Sequence, residues 1–95
     1  FPESERLSRA EILGRLGRAR MLAGDRAGEE DLRKAVALEP LHAPLHADLG
    51  DCLMERRDWK GAAAAYAKAS ELEPGNPDYA AGKARAKAIE EKLAS

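Results

Sequence analysis

The sequence has few of the residues that stabilise small secreted or membrane proteins. Cys52 is the only cysteine, so the chain cannot form an internal disulfide or supply a zinc-binding pair of thiols. It contains no run of about 18 apolar residues, which argues against a membrane span. The first residues, FPESERLSRAE, contain neither the pattern of a signal peptide nor an initiator methionine. We therefore expect a piece of a longer polypeptide, with the cytoplasm as the favoured compartment.

Excess charge and strand-forming residues are also lacking. Sixteen basic and 17 acidic residues leave a net charge of −1, without the basic excess of a nucleic-acid-binding protein. Threonine is absent and aromatic residues make up only 4% of the chain, whereas alanine and leucine are abundant. This composition favours helices over strands. It predicts a small all-α protein that binds neither nucleic acid nor membrane.

Glycine and proline divide the sequence into five predicted helices. They cluster at residues 24–28, 40–44 and 74–77. Asp25, Asp58 and Asn76 stand where side chains cap the starts of helices. Ser8 and Glu11 would form a capping box if the first helix starts there instead of near Ser4. Helices are predicted over residues 4–23, 26–38, 43–56, 59–72 and 77–93.

The chain repeats itself at an interval of 33 to 34 residues. Leu16-Gly17 recurs as Leu49-Gly50 after 33 residues, and the LEP at residues 38–40 recurs after 34. One residue is therefore missing from the first copy, in the turn between Asp25 and Gly28. A turn tolerates such a deletion, whereas a deletion inside a helix would rotate the following face by about 100°.

The second copy, HADLGDCLMERRDWKGAAAAYAKASELEPGNP, resembles the tetratricopeptide repeat. The positions that match the family's pattern of large and small residues are Leu49, Gly50, Leu53, Trp59, Ala62, Tyr66, Ala69 and Leu72-Glu73-Pro74. The first copy is more degenerate, because Arg20 stands where the second has Leu53. The resemblance implies a single all-α domain over residues 1–95. This domain would be an α-solenoid of two helix-turn-helix repeats, about 9–41 and 43–76, with a C-terminal capping helix over about 77–93.

The resemblance also assigns packing roles. Gly17 and Gly50 would let paired helices approach closely. In the fourth helix, Ala62 and Ala69 would leave room for a neighbouring helix, and Tyr66 would fill the space between them.

Several other residues receive expectations from the same register. Trp59 would close the bottom of the second helix pair. Ala63 to Ala65 would mainly supply helix propensity, with Ala64 and Ala65 near solvent. In the last helix, the residues expected to face inward are Tyr79, Ala80, Ala86 and Ile89. Those expected to face water are Lys83, Lys87, Glu90 and Glu91, which would end the array.

The sequence carries no convincing catalytic or metal-binding pattern. His42 and His46 have the i,i+4 spacing that can bind a metal, but no carboxylate or thiol joins them at ligand spacing. Cys52 and His46 fall on different faces of one helix, which does not suit a nucleophile and its base. No glycine-rich phosphate loop, GxSxG or HExxH motif occurs. We therefore expect a non-enzyme without metal or cofactor, in which Cys52 is a small buried apolar residue.

In the tetratricopeptide family, the first helix of each repeat lines a concave groove that holds a peptide or a partner's helix. Carrying the register over gives a groove that is basic at the first repeat and acidic at the second. The candidate partner-binding residues are Glu11, Arg15, Arg18, Met21, Leu22, Asp48, Asp51, Met54, Glu55 and Arg85. The same face also carries Gly14, Pro44, Ala47, Asp78, Ala81 and Gly82. In a competing interpretation, Arg15 with Asp48 and Arg18 with Asp51 form salt bridges between stacked repeats.

These features predict a protein–protein interaction module that binds a peptide or helix in its groove. Chaperone-binding members grip a C-terminal carboxylate with Lys, Asn and Arg, but the corresponding positions here are Gly14, Arg18, Asp48, Asp78 and Gly82. A heat-shock chaperone tail is therefore not the expected partner. The alternative is a non-catalytic helical appendage or oligomerisation segment of a larger enzyme or assembly factor. Self-association through the first helix is a further option, because two repeats bury a small core.

Overall fold

In the computed structural model, residues 7–94 are described and form five helices joined by short turns. The helices are α1 (Arg9–Leu22), α2 (Ala27–Leu38), α3 (Ala43–Glu55), α4 (Trp59–Leu72) and α5 (Pro77–Ala94). The first helix begins at Arg9, five residues later than the predicted start at Ser4. Residues 4–6 of the predicted helix lie outside the described residues. The described residues contain no strand, which confirms the all-α prediction.

Side-chain caps explain where the helices begin. Ser8, Asp58 and Asn76 each accept a hydrogen bond from a backbone N–H two or three residues later, at 3.1, 3.0 and 2.9 Å. Asp25 accepts in the same way from the N–H of Ala27 at 2.9 Å. Asp25 lies one residue before the N-cap position of α2, which Arg26 occupies. Of the two predicted starts of the first helix, the structure therefore has the one at the capping box of Ser8 and Glu11.

The two first helices of the repeats end in the same turn. Gly24 after α1 and Arg57 after α3 both adopt a positive φ, of 81° and 63°. In each turn the following aspartate donates its N–H to a carbonyl five residues earlier, at 2.8 Å for Asp25 and 2.9 Å for Asp58. This is the Schellman arrangement, which turns the chain back without leaving the last carbonyl groups unpaired. Glycine adopts it without strain, whereas Arg57 adopts it at some cost.

The helices lie in two layers. α3 contacts both α1 and α5 in one layer, while α2 and α4 contact these helices from the other. The molecule measures 53 × 31 × 18 Å, and the shortest dimension is close to the thickness of two packed helices. This layering follows from the chain order, because each short turn sends the next helix back antiparallel to the last.

Within the first repeat, two glycines bring α1 and α2 into close contact. A Cβ atom added at Gly17 would lie 2.8 Å from the carbonyl oxygen of Gly28, and one added at Gly28 would lie 2.5 Å from that of Gly17. Only a residue without a side chain fits at either position. The close approach expected of Gly17 is therefore observed, and Gly28 shares it.

An ion pair in the first repeat takes the place of an apolar contact in the second. Arg20 donates to Asp31 at 2.7 Å, and Asp31 is only 7% exposed. By the repeat interval these residues correspond to Leu53 and Ala65, which are buried. The degenerate Arg20 is thus accommodated by a partner on the opposite helix, and the first repeat keeps its fold at that position.

Tyr66 is the central side chain of the second repeat. Its ring lies between Gly50 of α3 and Gly82 of α5, where an added Cβ atom would come within 2.9 Å of the ring at either glycine. Ala62 and Ala69, on either side of Tyr66 along α4, are fully buried. The roles expected of Gly50, Ala62, Tyr66 and Ala69 fit the structure. The contact between Gly82 and the ring of Tyr66 was not predicted.

Three expectations for alanines of α4 and α5 were wrong. Ala63 was expected mainly to supply helix propensity and Ala65 to lie near solvent, but both are buried, because α4 is covered on one side by α3 and on another by α5. Ala64 is exposed, as expected. Ala80 of α5 was expected to face inward but is exposed. Ala86 is buried, as expected, and Gly82 joins it on the buried side of α5. Trp59 is only partly buried and belongs to neither cluster of buried core residues.

Two alanines of α4 test the packing directly. Ala62→Leu places a large side chain where the residue is fully buried, and overpacking of this kind costs on the order of 1–3 kcal/mol. Ala64→Lys alters an exposed position and is expected to change stability by less than about 0.5 kcal/mol. Urea denaturation of both variants measures the difference. Equal losses at the two positions would contradict the observed register of α4.

Glu29 links the two repeats electrostatically. Its carboxylate accepts from Arg33 one turn along α2, at 2.9 Å, and from Arg56 at the end of α3. The hydrogen bond from Arg33 is the main cause that lowers the pKa of Glu29 below its ordinary value of 4.5, and Arg56 adds to the effect.

The lowered pKa of Glu29 predicts a pH dependence. A carboxyl group whose pKa is lower in the folded state stabilises the fold above its unfolded pKa and loses this effect as pH falls. Glu29→Gln should therefore be less stable than wild type at pH 7, with the difference shrinking below a pH of about 4.5. Urea unfolding at pH 7 and pH 3 measures it, with the exposed Glu71→Gln as control. A difference that stays constant over this range would rule out the ionised form as the cause.

Candidate functional site

The groove positions of α1 and α3 meet in an ion cluster. Arg18 donates to Asp48 at 3.0 Å and to Asp51 at 3.1 Å. The competing interpretation of salt bridges between repeats therefore holds for Arg18 and Asp51. It does not hold for Arg15, which makes no ion pair with the described residues. One arginine serves both carboxylates, because Asp48 and Asp51 stand three residues apart on one side of α3.

Tyr66 extends this cluster into the second helix layer. Its hydroxyl donates to the carboxylate of Asp51, whose other oxygen accepts from Arg18. Burial raises the pKa of Tyr66 strongly, and the hydrogen bond to Asp51 raises it further. The phenol is therefore a fixed hydrogen-bond donor at neutral pH. It joins α1, α3 and α4 in one polar network that holds the cluster in place.

Asp48 is the carboxylate that this network compensates least. Burial raises its pKa, and the neighbouring Asp51 acts in the same direction, against the opposing effect of Arg18. A single guanidinium thus offsets two carboxylates. The centre of this face keeps an excess of negative charge when both are ionised.

Two clefts flank the ion cluster on the same face. The cleft between α1 and α3 has a volume of about 180 Å³. Its walls are Glu11, Gly14, Arg15, His42, Pro44, Leu45 and Asp48. The cleft between α3 and α5 is larger, at about 430 Å³. Its walls are Ala47, Asp51, Tyr66, Asp78, Tyr79, Ala81, Gly82 and Arg85.

The remaining candidate residues lie elsewhere. Met21 and Glu55 line a separate cleft of about 390 Å³ at the turn end of the first repeat, next to Cys52. Leu22 is exposed, and Met54 packs partly buried against the core. The structure thus brings Glu11, Arg15, Arg18, Asp48, Asp51 and Arg85 together around the ion cluster and its two flanking clefts. It places Met21, Leu22, Met54 and Glu55 outside them.

Two tyrosines on this face were not among the predicted site residues. Tyr66 was assigned to packing alone, although a buried tyrosine generally needs a partner for its hydroxyl, which was an available signal. Tyr79 is partly buried in the wall of the α3–α5 cleft. Partial burial raises its pKa, and the carboxylates of Glu73, Asp48 and Asp78 add to the rise. The cleft therefore combines two aromatic surfaces with two acidic side chains, Asp51 and Asp78, and the basic Arg85.

Within residues 7–94, no three His, Cys, Asp or Glu side chains come together in a group that could hold a metal. The ring of His46 lies 2.7 Å from the carbonyl oxygen of Pro40, a contact that occupies its Nε2. Burial raises the pKa of the Cys52 thiol, which keeps it in the less reactive protonated form.

The fold and this face define an all-α helical repeat with a polar, cleft-bearing side. The sequence model of the tetratricopeptide repeat matches residues 26–86, which is more than half of the chain. The chain therefore belongs to the tetratricopeptide repeat family, whose members generally mediate protein–protein interactions on a typically non-catalytic fold. No curated protein matches it. Over residues 7–94, no helix has the length and apolar character needed to cross a bilayer.

Proposed function

We propose that this chain is a non-catalytic interaction module that binds a peptide or helix of a partner protein along the face shared by α1, α3 and α5. The observation that supports this most is the pair of clefts on either side of the ion cluster of Arg18, Asp48 and Asp51. Hydrogen bonds fix that cluster before any ligand arrives. A preformed polar surface costs less ordering on binding than a flexible one.

The α3–α5 cleft is the main docking site in this proposal. It is the larger of the two, and its floor is the rigid ring of Tyr66 against the bare backbone of Gly82. Tyr79 adds a second aromatic wall, and such rings give contact area at little entropic cost. A partner side chain that enters the cleft meets both rings.

Charge sets the selectivity of this site. Asp51 and Asp78 line the cleft with Arg85, and Asp48 lies near Tyr79. Arg18 is occupied by its two aspartates, so the basic groups that reach a partner are Arg15 and the exposed Arg85, which also interacts with the hydroxyl of Tyr66. Rim charges of this kind act mainly on the rate and specificity of association.

The same charges argue against a heat-shock chaperone tail as ligand. Arg18, the one basic residue at the family's carboxylate-gripping positions, donates to Asp48 and Asp51 in this structure. A terminal carboxylate would have to displace one of these and would face the other. We expect no micromolar binding of such a tail.

The proposal is tested by exchanging charges within the cleft. Asp78→Arg plus Arg85→Glu reverses two exposed side chains of the cleft and leaves the net charge unchanged. The matched control, Lys60→Glu plus Glu71→Lys, makes the same exchange at exposed positions of α4, outside the cleft. Wild type and both variants are immobilised, and the proteins captured from lysate of the source organism are compared by quantitative mass spectrometry.

A partner retained by wild type and the α4 control but lost from the cleft variant is the expected result. Circular dichroism first establishes that both variants keep the helical content of wild type. Equal capture by all three proteins would mean that the partner binds another surface.

A further inference from the structure

The outer side of α1 is apolar where a surface helix is normally polar. Ile12 is 54% exposed and Leu16 is 41% exposed. Ala19 and Ala23 follow on the same side of the chain segment, both exposed. These four residues fall within one narrow arc, opposite the side on which α1 buries its glycines. We refer to Ile12, Leu16, Ala19 and Ala23 as the α1 outer stripe.

The equivalent leucines in the second repeat are buried. Leu45 and Leu49 follow Ile12 and Leu16 by 33 residues and are only 3% and 6% exposed. The same side of a first helix is therefore covered in one repeat and open in the other. The difference lies in the neighbour, because α1 and α2 stand beside α3, whereas none of residues 7–94 covers the stripe.

The covered repeat shows what kind of surface accepts these side chains. Leu45 lies directly on α1, since a Cβ atom at Gly14 would come within 2.5 Å of its Cδ2. It clusters with Ala10 of α1 and Ala35 of α2, both buried. Small residues on a helix pair thus form the socket for the bulky side chain of the following repeat. Ile12 and Leu16 are the corresponding bulky side chains of the first repeat. A helix that presents small apolar residues would receive them as α1 and α2 receive Leu45.

Charge distinguishes which helix can dock there. Arg9 and Arg15 border the stripe on either side, both exposed, and neither forms an ion pair with the described residues. In an antiparallel pair of two α1 helices, each edge would face the same edge of the other copy, so Arg15, near the middle of α1, would face its own counterpart. Like charges across an interface oppose association, whereas acidic side chains would favour it.

We propose that the α1 outer stripe docks an α-helix of a partner protein, which presents small apolar residues to Ile12 and Leu16 and acidic residues to Arg9 and Arg15. The stripe lies apart from the α3–α5 cleft, so the module has two binding faces, with Arg15 at the edge of both the stripe and the α1–α3 cleft. The helix packs on α1 as the first repeat packs on α3.

Two synthetic peptides test the inference. Both are fluorescently labelled, capped helical 20-mers with an alanine and leucine face; one carries glutamates and the other lysines beside that face. Fluorescence anisotropy measures their affinity for the full chain. The acidic peptide is expected to bind at least about tenfold more tightly than the basic one. Arg9→Glu plus Arg15→Glu should reverse this preference, an effect that a folding defect would not produce.

A second pair of variants locates the binding. Ile12→Asp plus Leu16→Asp should abolish binding of the acidic peptide. Leu41→Asp plus Leu93→Asp, which alters leucines that are 77% and 67% exposed elsewhere, should leave it unchanged. The cleft exchange at Asp78 and Arg85 should also leave it unchanged, which separates this face from the groove.

Three results would overturn the inference. They are no binding of either peptide, tighter binding of the basic peptide by wild type, and survival of binding in the Ile12 and Leu16 variant. Sedimentation velocity adds a fourth: a dimer that forms with rising concentration and disappears in that variant would assign the stripe to a second copy of the chain.

Discussion

Gly28→Val is expected to destabilise the protein by about 3 kcal/mol, at the upper end of the range for overpacked sites. A Cβ atom at this position would lie 2.5 Å from the carbonyl oxygen of Gly17 and 2.8 Å from the backbone nitrogen of Met21. Backbone atoms cannot rotate away as a flexible side chain can, so α1 and α2 must move apart. Such a loss is a large fraction of the stability of a domain this small.

Gly75→Val is the matched control for Gly28→Val. Gly75 lies in the turn before α5, and a Cβ atom there would have no neighbour within 4 Å. We expect a change within about 0.5 kcal/mol. Urea denaturation followed by circular dichroism measures both variants. A loss below about 1 kcal/mol for Gly28→Val would mean that the two helices do not cross at their glycines.

Tyr66→Ala is expected to cost about 3–5 kcal/mol, as for other large aromatic residues removed from a core. The ring fills the space between Gly50 and Gly82, and neither glycine has a side chain that could close the cavity. Both the α3–α4 and the α4–α5 contacts would lose their common side chain.

Tyr66→Phe separates the ring from its hydroxyl. It keeps the packing and removes the hydrogen bond to Asp51, which retains Arg18 as a partner. We expect a loss of about 1 kcal/mol. Denaturation curves of both variants give the comparison. If phenylalanine cost as much as alanine, the hydroxyl network and not the ring would hold the second repeat together.

The repeat comparison predicted the parts of the fold that recur. Gly17 and Gly50 stand at the same place in the two copies, and their close contacts follow from that equivalence. Gly82 does not. It corresponds to Asp48 by the repeat interval, yet it is the residue that meets Tyr66 from α5. The α4–α5 contact lies between successive repeat units, so the internal register of one unit does not specify it.

The errors in α4 have a related cause. A single inward stripe of Ala62, Tyr66 and Ala69 suits a helix with one neighbour, and Ala65 falls outside it. Because α4 packs against both α3 and α5, its buried arc is wider and includes Ala63 and Ala65. Local periodicity does not reveal how many neighbours a helix has.

The sequence predicted which residues share the candidate site but not all of the ion pairs that they form. The register placed Arg18, Asp48 and Asp51 on one face, where the structure joins them. The repeat interval also paired Arg15 with Asp48. In the structure Arg18 binds both Asp48 and Asp51, because the two carboxylates lie on the same side of α3. The exposed Ile12 and Leu16 became informative only when their buried counterparts, Leu45 and Leu49, were known.

Binding along the α1–α3–α5 face is tested most directly by amide chemical-shift mapping of the isotopically labelled chain. The ligand is the segment of the captured partner that wild type retains and the cleft variant loses. The largest shifts are expected at Ala47, Asp51, Gly82 and Arg85, which line the α3–α5 cleft. Shifts confined to residues of α2 and α4, with these four unchanged, would contradict the proposed groove.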